Sequence, residues 1–416
     1  MRQIQRENLK APAKVVDIEM TKLAELGPIS VAGYRSLWCL SRVRGLPASV
    51  SFWDVEDQTE VRPHDLSDNH CLPEFIPPDN PIAGDRDTAD MSLTVAMCTR
   101  DRPDELRRAL ESLRVQSDDN FEVLVVDNAP SSTSSAAVVE AVNLKRCTYV
   151  VEPDKGLSRA RNTAVAHVKT DYMAWIDDDE AADPDWVRRL KLGFAHPCMP
   201  AAVCGVMLPA ELETEAQVRF EQYGGFNKGR GISAEILSVA SDAAIRPLYP
   251  LPAIGSGGNM AFRMTALRSA GPFDEHLGAG TRTHGGEETR LFALLLRAGE
   301  VVLHWPEAIT WHYHRREMDE LHRQFYGYSA GLSAFYASMI RSDPSVIFDI
   351  LRIVPNALSD LGLRSGGIRS DQLPQDFPRT LLSAGRKGLL TGAFNYAFEV
   401  LTANAKEAKR SSAIVG

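Results

Sequence analysis

The sequence predicts an α/β protein: a mixed, mostly parallel sheet with helices on both faces, a small α+β module before it and a helical tail after it. Three observations carry that prediction. Short apolar runs recur from residue 92 onward, each the length of a strand buried on both faces. Segments with helical periodicity lie between them, and strands alternating with helices indicate parallel pairing. The last ~85 residues keep only the helical pattern.

Residues 1–62 read as the appended module, with a helix-like opening, then ISVAGYRSLWCLSRVRGLP, then ASVSFWDV, which alternates as a strand does. Residues 63–90 hold Pro63, Pro73, Pro77, Pro78 and Pro81 among many Asp and Asn residues, and read as a linker. The central domain, 91–330, opens with the strand-like LTVAMCT (93–99). RPDELRRALESLRVQ follows, with Pro103 near a first helical position, Asp104 and Glu105 in the first turn, and Leu106, Leu110 and Leu113 on one face. Next come EVLVVDN (122–128), a Ser/Ala-rich helix, CTYVVE (147–152), a helix around LSRARNTAVAHV, and DYMAWIDDD (171–179). A second α/β half continues through AAVCGVMLP (201–209) to about residue 330. Residues 331–416 read as amphipathic helices (SAGLSAFYASMI, PSVIFDILRIVPNAL and KGLLTGAFNYAFEVLTANA) with a basic finish at Lys406, Lys409 and Arg410. Packing on the core is their expected role, with peripheral membrane contact as the rival.

The 416 residues suffice for two or three units, and 44% hydrophobic with 24% charged residues suits a soluble globular protein. A net charge of −9 speaks against a broad nucleic-acid footprint. Cys39, Cys71, Cys98, Cys147, Cys198 and Cys204 form no C-x-x-C pair and read as reduced thiols. The N-terminus lacks an apolar signal region, and no uninterrupted apolar stretch reaches the ~18 residues of a spanning helix. A cytoplasmic location is therefore expected.

Ligands of open α/β sheets bind beyond the carboxyl ends of the strands. Polar residues cluster there: Thr99, Arg100, Asp101 and Arg102 after the first strand, Asp127 and Asn128 at the end of the second, Asp177, Asp178 and Asp179 after the fourth. Three adjacent carboxylates repel one another unless a cation or basic neighbour offsets their charge. At a strand end Asp177 and Asp179 would share a side, as two hard oxygen ligands suited to Mg²⁺ or Mn²⁺. The bland alternative is a solvated acidic turn, with Asp183-Pro184 capping the next helix. Gly257, Gly258 and Asn259 precede an apolar strand, where backbone must pass close to something. Glu287 and Glu288 start a helix whose other face is Leu and Phe, a position that dipole chemistry alone favours. In WHYHRR, His312 and His314 stand where one of them becomes a credible metal ligand.

Together the segments TVAMCTRDRPDELRRALESL, VLVVDNA, KGLSRARN, DYMAWIDDD, GSGGNMAFR, GGEETRLFALLLRAG and WHYHR resemble glycosyltransferase family 2, over about residues 92–330. The resemblance implies a Rossmann-like GT-A fold and transfer of a sugar, with inversion, from a nucleotide-diphosphate donor, commonly a UDP-sugar. The acceptor would be a hydroxyl on a saccharide, a lipid-linked sugar or another molecule, as in bacterial polysaccharide or glycoconjugate synthesis. It further implies that Thr99, Arg100 and Arg102 line the nucleotide pocket, Asp127 accepts from the base, and Arg161 helps hold the nucleotide. Asp177 and Asp179 would form the D-x-D element that touches the ribose and the metal-bound diphosphate. Glu288 would be the general base with Glu287 as rival, and His312 a late metal ligand with His314 as rival. Gly257, Gly258 and Asn259 would border the donor or acceptor sugar. Leu291, Leu294 and Leu295 should mark the buried face of the glutamate helix. Glu288 lies three residues before Leu291, nearer that face, and Glu287 four, so geometry alone separates them poorly.

Two other classes compete. A nucleotidyltransferase would show a Gly-rich, basic loop after the first strand, where this chain has TRDRPDEL. A dehydrogenase would show G-x-G-x-x-G at that place. A non-catalytic nucleotide-sugar-binding protein of the same fold is the remaining alternative, and the acids at every motif speak against it.

Overall fold

The computed structural model describes residues 1–66, 88, 90–227, 232–238, 248, 254–360 and 373–415. Most of the expected linker, Cys71 and part of the 221–242 loop lie outside those residues.

The opening is strand rather than helix. β1 (Arg2–Ile4), β2 (Ala13–Glu19), β4 (Ser36–Val43) and β5 (Leu46–Asp54) form one sheet in the order β1-β5-β4-β2, and β3 (Ile29–Ser30) pairs with β6 (Glu60–Val61). Arg44 and Gly45, at φ 54° and 77°, make the two-residue turn between β4 and β5, and such a turn matches strand twist. Helical pairing never had a chance in β2: AKVVDIE carries β-branched residues that lie in register with β4 from Ala13↔Ser36 to Glu19↔Arg42. Pro63 and Leu66 are buried, and Leu66 joins the module's core, so the module reaches past the boundary at 62.

The central sheet contains β7 (Leu93–Thr99), β8 (Glu122–Asn128), β9 (Cys147–Glu152), β10 (Tyr172–Trp175), β11 (Glu180–Ala182), β12 (Ala202–Pro209), β13 (Glu235–Leu237), β14 (Met260–Arg263) and β15 (Val302–His312). Its order is β11-β15-β12-β14-β10-β7-β8-β9, with β13 paired to β15. β7 to β10 pair in parallel, β14 runs against both β10 and β12, and β12 is parallel to β15. Six of the nine strands therefore share one direction, and β11, β13 and β14 oppose it. The mixed, mostly parallel architecture is the expected one. The antiparallel β14, which pairs with both β10 and β12, was not foreseeable from helix–strand alternation.

Helices cover both faces. α1 (Pro103–Arg114), α2 (Ser134–Val142) and α4 (Trp186–Phe194) bury Leu106, Leu110, Val138, Trp186 and Leu190 on one. α3 (Leu157–His167), α6 (Met264–Ala270) and α7 (Glu287–Arg297) bury Ala160, Ala164, Leu267, Leu291 and Leu295 on the other. α5 (Glu215–Gln222) follows β12, held at its start by a reciprocal capping box of Thr214 and Gln217. Trp38 and Leu40 of the module share a core with Val206, Leu208 and Ile309, so the module is packed onto the central sheet's edge.

The tail comprises α8 (Met318–Ser342), α9 (Val346–Asp360) and α10 (Arg379–Val415). α8 runs unbroken through residue 330, so the expected boundary there falls inside a helix. α10 lies along α8, and Gly388 and Gly392 make the approach possible: a Cβ on either would meet the Tyr326 or Ala330 carbonyl oxygen at 2.1 or 2.0 Å. On its other side α10 leaves Leu390, Phe394 and Leu401 exposed, at 82%, 76% and 68%. Among the described residues no helix is long and apolar enough to cross a membrane. Among the described residues, Cys39, Cys98, Cys147, Cys198 and Cys204 form no disulfide.

Candidate functional site

β10 ends at Trp175, and Asp177–Asp179 form the turn that leads into β11, with the Glu180 amide donating to the Asp177 carbonyl. The strand alternation expected for Asp177 and Asp179 therefore does not apply, and the three carboxylates fan apart. Asp178 turns back to β7, accepting from the Thr99 hydroxyl at 2.8 Å and from Arg102 at 3.0 Å. Asp177 opens to the cleft, 3.9 Å from Arg161. Asp179 meets Arg102 at 3.2 Å and Arg315 at 3.1 Å, with Nε2 of His312 3.5 Å away.

Glu180 adds a fourth carboxylate, buried to 1% exposure with Thr310 as its hydroxyl neighbour. Burial, reinforced by the charge on Asp177, lifts its pKa well above the ordinary range. Burial and the Asp179 charge likewise push Asp178 up to about 7. Burial drives His312 down to about 3 against the pull of Asp179, so its imidazole is neutral and able to bind a cation. The arginines offset only part of this concentrated negative charge. Among the described residues no group of three or more His, Cys, Asp or Glu side chains is assembled to hold a metal ion. The nearest donor pair is the Asp179 carboxylate with Nε2 of His312, a hard oxygen beside an imidazole nitrogen.

Asp127 lies opposite Thr99 in the β7–β8 register and is fully buried. Its Oδ2 accepts from the Tyr149 hydroxyl at 2.7 Å, and its Oδ1 has no partner. An orphaned buried acceptor is costly, and a ligand N–H would satisfy it. Arg100 is exposed and Arg102 half-buried on the same rim.

Three expected contacts sit differently. Arg161 is 1% exposed and stands behind the cleft: its guanidinium donates to Glu287 at 2.8 Å and to the Gly257 carbonyl at 3.2 Å. Asn259 is wholly buried, its amide donating to the Val206 and Ala308 carbonyls at 3.0 and 2.9 Å and accepting from the Trp186 indole at 3.0 Å. It ties β12, β15 and α4 together and faces no sugar. Gly257 and Gly258 are tight backbone passages, where a Cβ would lie 2.6 Å from Arg161 and 1.8 Å from Glu180.

α7 separates the two glutamates. Gly286, at φ 94°, begins the helix against Gly331 of α8, where a Cβ would strike a carbonyl oxygen at 2.4 Å. Glu287, four residues before Leu291, falls on the buried face at 4% exposure and is spent on Arg161. Glu288 projects to the cleft side, half-buried, close enough to bear electrostatically on Asp177 and Arg161. The expectation that Glu288 lies nearer the buried face is thus reversed, because residues four apart stack more closely along that face here. Leu291 and Leu295 are buried as expected, while Leu294 is only half-buried.

Sequence reasoning passed over Glu180, Arg315, Glu221 and Tyr149. Adjacency to the acidic turn and to His314 would have pointed to the first two. Nothing local signals Glu221 or Tyr149, which act across the fold.

Residues 94–270 match the family described as glycosyl transferase family 2. The pre-mycofactocin glycosyltransferase of Mycobacterium tuberculosis is 27% identical over 246 residues, 57% of this chain and 46% of that protein. The succinoglycan biosynthesis protein ExoM of Rhizobium meliloti is 29% identical over 224 residues, 52% of this chain and 65% of its own length. The chain thus spans about half to two thirds of these relatives. A mannosyltransferase structure from Pyrobaculum calidifontis, in complex with GDP-Man and Mn²⁺, covers 72% of this chain and 86% of its own at a TM-score of 0.49 and 17% identity. The match to glycosyl transferase family 2 thus lies in the domain at residues 94–270.

Proposed function

We propose that the protein transfers a sugar from a nucleotide-diphosphate donor, a UDP-sugar, to an acceptor hydroxyl with inversion, in bacterial polysaccharide or glycoconjugate synthesis. The observation that carries this reading is the gathering of Asp177, Asp178, Asp179 and His312 beside the orphaned Asp127 acceptor and the cleft-facing Glu288. The named activities of the relatives, both in glycosyl transfer or polysaccharide assembly, support the same class.

In this reading Asp127 Oδ1 accepts the ring N–H of uracil, with Thr99 and Arg100 beside it. Asp179 and His312 would hold a divalent cation, Mn²⁺ or Mg²⁺, which would supply positive charge to offset that of the departing diphosphate. Arg102 and Arg315, each partly exposed, can turn from Asp179 to phosphate oxygens. The acceptor oxygen attacks the anomeric carbon, the carbon–oxygen bond to the diphosphate breaks, and Glu288 takes the acceptor's proton. A single displacement inverts the anomeric centre. The reading places the reaction in the cytoplasm, where activated donors are made.

Replacing Asp127 with alanine tests the nucleotide assignment. UDP affinity should fall well below that of the wild type while ADP affinity changes little, as titration calorimetry would measure. Equal losses for both would make Asp127 a partner of Tyr149 and nothing more.

A lipid-linked acceptor would bring the enzyme to a membrane surface. The exposed Leu390, Phe394 and Leu401, about one to four turns after Arg386 and Lys387, support this placement. Flotation with vesicles containing anionic phospholipid should carry the protein upward, and Phe394→Glu should return it to the soluble fraction. Wild-type protein that never floats would refute it.

A further inference from the structure

Behind the proposed metal ligand runs a chain of hydrogen bonds whose direction is fixed at its far end. Nε2 of His314 lies 3.1 Å from Oε1 of Glu221, on α5, and Nδ1 of His314 lies 2.8 Å from Nδ1 of His312. Oε1 of Glu221 is the acceptor, so His314 donates from Nε2. An imidazole with a single N–H that donates at Nε2 accepts at Nδ1, and in that form His312 donates there. That leaves a lone pair on Nε2 of His312. Its distance of 3.5 Å from Asp179 Oδ1 accords with this, being beyond N–H···O range.

The surroundings hold the chain in place. Glu221, His312 and His314 are all buried, and the Phe226 ring stands 4.6 Å from that of His312 and 5.7 Å from that of His314. Phe220 meets His314 edge-on at 4.9 Å. Water has little access to replace either partner. α5 also grips the His314 backbone, since the Gln217 side chain donates to its carbonyl at 3.2 Å.

We propose that Glu221 is a positioning residue: acting through His314, it fixes His312 in the tautomer whose Nε2 lone pair is presented, beside Asp179, to a divalent cation. This rests on the reading of Asp179 and His312 as metal ligands. It adds the residue that orients one of them, an arrangement in which outer partners govern metal affinity.

Nitrogen-15 NMR of histidine-labelled, metal-free full-length protein reads the tautomer directly. His312 should carry its proton on Nδ1, and Glu221→Ala should shift it toward Nε2, while Glu221→Gln, which keeps an acceptor oxygen, should restore the wild-type form. Mn²⁺ affinity, by calorimetry, should drop ~10–100-fold in Glu221→Ala and recover in Glu221→Gln. A wild-type His312 protonated on Nε2 would overturn the proposal, and that result needs no variant to fold. So would one tautomer shared by wild type and Glu221→Ala. Failure of the underlying metal reading looks different: Mn²⁺ binding would survive both Asp179→Asn and His312→Gln, and the relay would lose its purpose with it.

Discussion

Asp179→Asn is expected to abolish metal-dependent nucleotide binding while the protein stays folded. Asp179 is the carboxylate on which Arg102, Arg315 and His312 converge, so it is the natural anchor for a cation. Asparagine keeps the shape and removes the charge. Three neighbouring carboxylates, Asp177, Asp178 and Glu180, then feel less repulsion, which offsets the weakened contacts to the two arginines. UDP affinity in Mn²⁺ should fall by ~100-fold or more, about 2.8 kcal/mol at ~1.4 kcal/mol per decade. Titration calorimetry with and without EDTA checks it. Undiminished binding that ignores EDTA would remove the metal from the account.

The second large effect concerns proton transfer. Glu288→Gln should lower turnover by ~10²–10⁴-fold and leave both donor affinity and Tm close to wild type, because glutamine keeps the shape of the half-buried side chain and can keep its hydrogen bond to Glu287. Glu287→Gln should behave in the opposite sense. It removes the charge facing a guanidinium that is 1% exposed, so thermal stability should drop. Steady-state kinetics with melting curves on both variants separate the roles. If Glu287→Gln loses turnover at an unchanged Tm while Glu288→Gln stays active, the base is Glu287.

How far the sequence disclosed this depends on the range of the interactions involved. The strands Leu93–Thr99 and Glu122–Asn128 were legible to the residue, because a strand buried on both faces must be apolar throughout and polar residues then mark its end. The acidic turn was legible for the same reason. The pairing of Arg161 with Glu287 was not legible, because the two lie 126 residues apart and the resemblance assigned Arg161 only to the nucleotide. Asn259 was misread because an amide next to two glycines looks like loop chemistry, whereas its partners are carbonyls of β12 and β15 brought to it by the antiparallel β14. The N-terminal strands were misread because their pairing is with β4 and β5, not with local neighbours. Periodicity reports burial, and it does not report which distant group a buried charge will find.

The central claim is that the acidic turn, Asp127 and Glu288 together form one donor-cleaving site. Release of nucleoside diphosphate from a panel of nucleotide sugars, followed without acceptor in the presence of Mn²⁺, tests it most directly. The account predicts slow release of UDP from a UDP-sugar, stopped by EDTA and by Asp179→Asn. Nucleotide binding that is indifferent to EDTA, with no release from any donor of the panel, would contradict it and leave a binding protein built on this fold.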